Sequence, residues 1–552
     1  MKRSAFAFST LLAAVSADAT YRSRPDLSPL KLNITIPCGS SHGPCNEGYI
    51  FVSPFTTYGE PDDCVSHQAG PYILANTGDL VWSGFGYFAG WTCNLQAARF
   101  QGRDVLFSFE GVHNGNHGHG HGHHTLLSQH YDVIKTLRGG GNRISDKHEF
   151  IVVDEKSALI QIYHPTQRDL SPYGGKDGQT WIVDAKFQEL DIATGKVLFE
   201  WSSLDHVSPD ESALPLPRGL AGVGRGSSTA WDYFHINSLA KGADGHYLLS
   251  ARHASTVYKI NGTDGSIVWR LGGSNSTFAF GEGVQFGFQH HARFSAEDPD
   301  GQLDTISLFD NSVYGSESAG EGNQVRINPY SSGKYIQIDH VAKTATLVRK
   351  LEPVSVLGQA PGDAPIVTKS QGSLQSLPGG GDFVNWGSEG QITEYGADGK
   401  AVFHAFLGRG WLRERLQNYR AFRYNWTGIS PEEPAVFAEG SSLSSDGIVH
   451  LFVSWNGDTV TKSWRFSWAE ETVSEWGPTT VWKEKVVPRR GFETSTRVVR
   501  PAHVQVLSVR AEALDTDGHV LGVSAVASVQ QAIAKTVVTA GHEDLRDQTP
   551  MS

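Results

Sequence analysis

The chain of 552 residues is 39% hydrophobic and 11% aromatic, contains 61 glycines and 24 prolines, and carries a formal net charge of -12. That charge excludes a protein that grips polyphosphate backbones by bulk electrostatics, so no nucleic-acid partner is expected. Length alone admits about three or four domains, and a chain this rich in glycine and proline suits short strands joined by turns, so the expected class is all-β.

At the start, Lys2 and Arg3, an apolar run from Ala5 to Ala14 and the small-residue exit Ala17-Asp18-Ala19 read as a signal peptide over residues 1–19. No later stretch reaches about twenty apolar residues, so no membrane span is expected and the chain is placed in the secretory pathway or outside the cell. Its four cysteines, Cys38, Cys45, Cys64 and Cys93, then read as two disulfides with three possible pairings. A four-thiolate zinc site is the rival, weakened by the absence of CxxC pairs. Asn33, Asn261, Asn275 and Asn425 head N-x-S/T sequons and are the candidate glycosylation sites.

Further on, one pattern returns: a polar strand, a glycine-containing turn, then an apolar strand that usually carries an aromatic residue. It stands at NTGDLVWSG (76–84), LDIATGKVLFEW (190–201), INGTDGSIVWRLGG (260–273) and EYGADGKAVFHAF (394–406), with weaker copies at DVIKTLRGG (132–140) and VAKTATLVRKL (341–351). Each reads as a hairpin. Six returns at a spacing of about 55–80 residues predict a six-bladed β-propeller over residues 20–434, because one blade cannot bury both of its faces alone. A pair of β-sandwiches is the rival. Beyond Ala435 the alternation in GIVHLFVSWNGDTVTKSWRFSW (447–468) and VQVLSVRAEALDTDGHVLGVSAVA (504–527) predicts a β-sandwich-like module over 435–530, followed by a disordered tail over 531–552.

Histidines gather in five places: 113–124, 145–150, 231–238, 248–255 and 288–294. The first, HNGNHGHGHGHH, reads as a mobile glycine loop that cannot fix ligand geometry, with an adventitious metal site as the alternative. His148, His235 and His290 sit at similar phases of successive repeats, so a propeller would turn them toward one central channel. A single buried histidine is more often structural; three that converge, with Asn237, Arg252 and Arg293 close by in sequence, point to a functional centre.

The run WDYFHINS…GHYLLSARHASTVYKINGTDGSIVWRLGG, followed by FGFQHHARF and ISLFDN, resembles the arylsulfotransferase-like (ASST) family, particularly its secreted fungal branch. The resemblance covers about residues 45–525 and includes QGSLQSLPGGG (371–381), YRAFRYNWTG (419–428) and SWNG (454–457). It implies a six-bladed propeller that moves a sulfuryl group from an aryl sulfate to a phenol without a nucleotide donor. By the same resemblance His290, after Gln289, is the nucleophile; His235 and Asn237 match an Asp-x-x-His-x-Asn-Ser segment, Arg252 matches a Ser-x-Arg segment, and His148 corresponds to a further active-site histidine. Such a site needs a lone pair on the attacking imidazole nitrogen and donors aimed at the sulfuryl oxygens; His148, with an ordinary pKa of about 6.5, would carry the phenolic proton.

The chain departs from the bacterial pattern after the nucleophile, where His291 and Arg293 replace small polar residues. They are read as substrate-binding groups, with an Arg293–Asp310 ion pair as the plain alternative. Three functions stay open: sulfuryl transfer on a phenolic small molecule; a fungal secondary-metabolite reaction in which a phenol or tropolone loses water to a quinone methide and undergoes cycloaddition with a terpene; and a secreted binding propeller. No cofactor and no metal are expected, since no phosphate-cradling loop and no calcium loop stand in the sequence.

Overall fold

The computed structural model describes residues 21–531 apart from 40, 57–67, 69, 116–117, 316–323, 361–363, 410–411, 414, 441–446 and 500–503. The expected signal peptide, Cys64 and nearly all of the expected tail fall outside the described residues. Two compact units result: Met1–Glu432 with Asn456–Val460, and Glu433–Trp455 with Thr461–Ser552.

Among its described residues the first unit holds six large sheets, each built on four antiparallel strands in up-and-down order, and two short two-stranded sheets. The second sheet holds Trp91–Phe100, Arg103–Asn114, His119–Leu127 and Val133–Leu137, and the third holds Phe150–Val153, Ser157–Gln167, Trp181–Asp191 and Val197–Ser202. Ile236–Lys241, Tyr247–Ala251, Thr256–Ile260 and Ile267–Gly272 make the fourth. The fifth runs His290–Glu297, Leu303–Asp310, Ser332–Asp339 and Thr344–Leu351, and the sixth Ser373–Ser376, Asp382–Asn385, Gln391–Tyr395 and Ala401–Phe406. The first sheet is composite: Tyr49–Val52, Tyr72–Leu74 and Leu80–Ser83 are completed by Phe422–Tyr424 from the far end of the unit, with Phe51 opposite Phe422. In return, Asn33–Ile36 adds a fifth strand to the sixth sheet.

All six sequence returns fall on the last hairpin or last strand of a different sheet. The turns explain the pattern. Gly78, Gly195, Gly265 and Gly399 have φ between 72° and 82°, a left-handed conformation that glycine adopts without steric cost, and each is followed by the apolar outer strand. Adjacent sheets share apolar cores: Leu106 and Leu127 of the second meet Phe51 and Trp82 of the first, Phe187 and Trp201 of the third meet Tyr247 and Tyr258 of the fourth, and Phe309 of the fifth meets Trp386 and Tyr395 of the sixth. The sixth reaches the first through the buried Arg423–Glu394 pair, 2.6 Å apart.

The segment 456–460 packs along the outer strand of the first sheet, which accounts for the Asn and Gly of the SWNG motif. Asn456 accepts from the Ser83 amide at 2.8 Å, and the Gly457 carbonyl accepts from the Tyr131 hydroxyl at 2.7 Å. A Cβ on Gly457 would stand 2.5 Å from the Tyr131 ring and 2.8 Å from Trp82, so only glycine fits.

The second unit pairs Ala435–Gly440, Ile448–Ser454 and Glu493–Val499 in one sheet, and Ser463–Ser474, Gly477–Pro488, Val504–Leu514 and Val520–Val523 in another. Leu451, Val453 and Trp455 share a core with Trp464, Phe466 and Val509.

Of the four cysteines, Cys38 and Cys45 form a disulfide. Cys93 corrects the expectation of a second one: it is a free, fully buried thiol in the second sheet, and burial pushes its pKa up to about 12. Of the sequon asparagines, Asn275 and Asn425 are exposed, whereas Asn33 and Asn261 are half-buried.

Candidate functional site

Five sheets place a side chain at or just before the start of their first strand: His148 ahead of Phe150, His235 ahead of Ile236, His290 opening its own strand, Gln371 ahead of Ser373 and Tyr419 ahead of Phe422. All five line one cavity of about 150 Å³, together with Arg252, His253, Lys147, Asp232 and Tyr314. The sequence builds the turns locally. Asp146 Oδ1 accepts the backbone N–H of His148 at 2.8 Å, and Asp232 Oδ1 accepts that of His235 at 3.1 Å. Each aspartate thus folds its own histidine back, so that Nδ1 of the ring meets the same carboxylate: His148 on Asp146, and His235 on Asp232 Oδ2 at 2.5 Å. His235 holds a left-handed φ of 57°, a conformation uncommon for a residue with a Cβ and concentrated at functional sites.

The tautomer of His290 follows from its neighbours. The Asn311 amide nitrogen donates to the carbonyls of Thr368 and Gln371 at 3.1 and 2.9 Å, which leaves Oδ1 as an acceptor for His290 Nδ1 at 2.7 Å. Nδ1 therefore carries the proton and Nε2 keeps its lone pair, which meets the Gln371 backbone N–H at 3.2 Å. Burial, and after it the Arg252 guanidinium, holds His290 well below the ordinary imidazole pKa. This is a neutral ring with a lone pair fixed in direction.

Arg252 lies across the Tyr314 ring at 4.8 Å, donates to the Lys369 carbonyl at 2.9 Å and stands 3.1 Å from Nε2 of His253. His253 gives its Nδ1 proton to the Asp232 carbonyl at 2.6 Å. Burial also keeps His148 well below its ordinary pKa, and the neighbouring Lys147 adds to the effect, so the expected titration near 6.5 does not occur in this environment. Asp146 receives backbone N–H groups from both His148 and Gly120 and faces His148 Nδ1, while burial pushes its carboxyl above the usual range. Burial alone would raise Asp232; the surrounding imidazoles, His235 foremost, outweigh it and hold the carboxyl well below the usual range.

His148, His235, His290 and Arg252 thus come together as the sequence predicts, with the rings of His148 and His235 4.9 Å apart. Asn237, His291 and Arg293 do not line this cavity. Asn237 is buried behind it and donates to the Gln289 carbonyl at 2.6 Å. A register irregularity between His290 and Arg293, with His291 at φ 55°, turns the second histidine away. His291 and Arg293 line a separate cavity of about 540 Å³ with Gln375, Phe422 and Tyr424. Arg293 pairs with Glu149 at 2.8 Å rather than with Asp310, which pairs with Lys334 at 2.9 Å. Glu149 also takes Arg420 at 2.8 Å, and both of those side chains are fully buried.

Sequence reasoning passes over His119, Asp232, His253, Tyr314 and Tyr419. The largest correction concerns the 113–124 stretch, expected as a mobile loop. Its described residues end one strand at Asn114 and begin the next at His119, and His119 Nε2 lies 2.8 Å from Asp232 Oδ2. The alternation explains why: Cβ atoms on Gly111, Gly120 and Gly122 would stand 2.9, 3.1 and 2.8 Å from the Phe109 ring, so the glycines form the packed face while the histidines project from the other. Period-two spacing is the signal that could have found the strand.

Comparison with known proteins adds the following. A model of the arylsulfotransferase (ASST) family matches residues 96–408. No curated protein matches. Among solved structures, the chain is similar to a protein of unknown function from Bacteroides caccae at 10% identity and a TM-score of 0.36, over 68% of this chain and 98% of that one. It is also similar to the GH43 BlXynB protein from Bacillus licheniformis (11% identity, TM-score 0.31, covering 80% and 90%) and to a protein from Lactobacillus plantarum (11%, 0.33, covering 69% and 100%). The family match takes in the histidines of the cavity from His113 to His290, and on that match the chain belongs to the arylsulfotransferase (ASST) family.

Proposed function

We propose that the six sheets are the blades of a propeller and that its central cavity transfers a sulfuryl group between phenols through His290. Support for the ring comes from the two closures, Phe422–Tyr424 in the first sheet and Asn33–Ile36 in the sixth. A six-bladed ring would bring the first-strand starts to a common axis.

The observation that carries the reaction is the fixed tautomer of His290, with Nδ1 donating to Asn311. In the first half, Nε2 gives up the Gln371 N–H and attacks sulfur; the N–S bond forms, the S–O bond to the aryl group breaks, and a phenolate leaves. Arg252 faces the sulfuryl oxygens, where charge is spread, in a site sheltered from water. In the second half the acceptor's phenolic oxygen attacks sulfur and the N–S bond breaks, while the phenolic proton, made acidic only as the O–S bond forms, passes to Nε2 of His148, a ring that is neutral at rest. The proton on His148, balanced by Asp146, returns to the leaving phenolate of the next turnover. A cavity of about 150 Å³ lies below the range of drug-sized sites, roughly 300–1,000 Å³, and suits one single-ring phenol rather than two condensing partners of a cycloaddition. The Cys38–Cys45 disulfide supports an exported chain.

Turnover of p-nitrophenyl sulfate with a simple phenol tests the reading. The native chain should release p-nitrophenol and His290→Asn should fall to background; release at an undiminished rate by His290→Asn, or none by the native chain, rejects it.

A further inference from the structure

One carboxylate oxygen in the cavity is surrounded by imidazoles in a way that the sulfuryl-transfer reading does not use. Asp232 Oδ2 lies 2.8 Å from Nε2 of His119, 2.5 Å from Nδ1 of His235 and 3.8 Å from Nδ1 of His253. His253 has committed its Nδ1 proton to the Asp232 carbonyl, so it braces the group. The other two nitrogens and the oxygen all lie within 4.8 Å of one another.

We infer that His119, Asp232 and His235 form a binding site for a divalent metal ion, zinc fitting best, with its fourth position open to the cavity. Two imidazole nitrogens and one carboxylate oxygen are the donor set of an open zinc site, borderline in softness and low in coordination number. Bond lengths of about 2.0–2.2 Å at tetrahedral angles place ligand atoms roughly 3.4 Å apart. The present contacts need to open by less than about 1 Å to accept the ion, through a small rotation of the Asp232 carboxylate and of the His119 and His235 rings.

Supports around the ligands are already present. Asp232 Oδ1 is held by the His235 amide at 3.1 Å, and the His119 ring stacks on Tyr163 at 3.9 Å. The Tyr163 hydroxyl is in turn anchored on the Ile236 carbonyl at 2.6 Å. Such outer contacts orient ligands and raise metal affinity. His119 belongs to the second sheet and the other two ligands to the turn that opens the fourth, so the ion would tie the His119 hairpin to the turn that carries His235.

The test needs no substrate, so its outcome is separate from that of the sulfuryl-transfer assay. Full-length protein stripped with a chelator is titrated with cobalt(II) and, in parallel, dialysed against zinc. The expected result is one equivalent of each metal per chain and the intense visible bands of four-coordinate cobalt. His119→Gln should weaken binding by about a hundredfold, the upper range for losing a supporting contact and a floor for losing a ligand. Asp232→Asn should do the same, with near-ultraviolet circular dichroism confirming the fold; His119→Gln, on a strand, decides the matter should Asp232→Asn fail to fold. His121→Gln with His123→Gln, on the same strand, should change nothing. Absence of stoichiometric binding, a pale six-coordinate spectrum, or binding lost with His121 and His123 but kept in His119→Gln overturns the inference.

Discussion

His290 and His291 are neighbours in sequence and belong to different environments. His290 faces the 150 Å³ cavity, where His148, His235 and His290, at the starts of strands, are each held by an aspartate or asparagine side chain. His291 faces the 540 Å³ cavity, whose walls are strand residues and whose Arg293 is neutralised by Glu149. In the first region the ring nitrogens of His148, His235 and His290 are oriented by neutral or carboxylate acceptors; in the second the guanidinium of Arg293 is spent on a buried carboxylate. On the proposed reading the larger of these two cavities is not the reactive one, and one position along the strand separates the proposed nucleophile from a supporting residue.

That contrast can be broken at several points. Replacing the proposed nucleophile by His290→Asn, the largest effect, should remove turnover as described above. On the supporting side, Glu149→Gln leaves Arg420 buried without its carboxylate; stability measured by urea unfolding should fall by about 3–5 kcal/mol. A loss under about 1 kcal/mol would show that the pair does not hold the wall in place. Arg252→Ala should lower kcat by on the order of a hundredfold with the melting temperature little changed, as expected for a donor that acts on developing charge; equal losses in native-state stability would make it a packing residue.

Histidines outside both cavities sharpen the comparison through pH. Burial holds His124 and His404 at about 4 in the folded chain, against about 6.5 for an exposed imidazole in the unfolded chain. Below about 6.5 the unfolded chain takes up protons that the folded chain refuses, so the stability is complete above that pH and is lost as pH falls toward 4. Each of the two should cost about 1.4 kcal/mol per pH unit across that window. Urea midpoints recorded between about pH 7 and pH 4.5 check this, and a flat profile contradicts it. The smallest effect belongs to the other cavity: His291→Asn should leave kcat for sulfuryl transfer unchanged, and a clear loss would mean that the two regions act as one.

Much of the fold was legible. A glycine in a left-handed turn followed by an apolar outer strand is a local device, and one that recurs in four of the six sheets survives in sequence, whereas Tyr131 and Lys343 take the left-handed turn in the other two. The site was legible in part because His148, His235 and His290 stand at similar phases of successive repeats; the Asp146 and Asp232 turns that fold the first two back were not read from sequence. What distant segments contribute could not be read. Arg293 and Arg420 lie 144 and 271 residues from Glu149 along the chain, and no spacing rule links them. Asp310, the nearer carboxylate in sequence, is the partner that sequence offers Arg293, and the structure gives it to Lys334. The His119 strand misleads because glycine in sequence signals mobility, when here it lets two backbones close over Phe109. Cys93 misleads because an even count of cysteines says nothing about burial.

Trapping the covalent intermediate tests the proposed division of labour between the two adjacent histidines most directly. The protein is quenched during turnover of an aryl sulfate, digested under mildly alkaline conditions that preserve N–S bonds, and the peptide containing GFQHHARF is fragmented in a mass spectrometer. One added sulfuryl group on His290 is the predicted result. The same group on His291, or on a peptide from elsewhere in the chain, would contradict it.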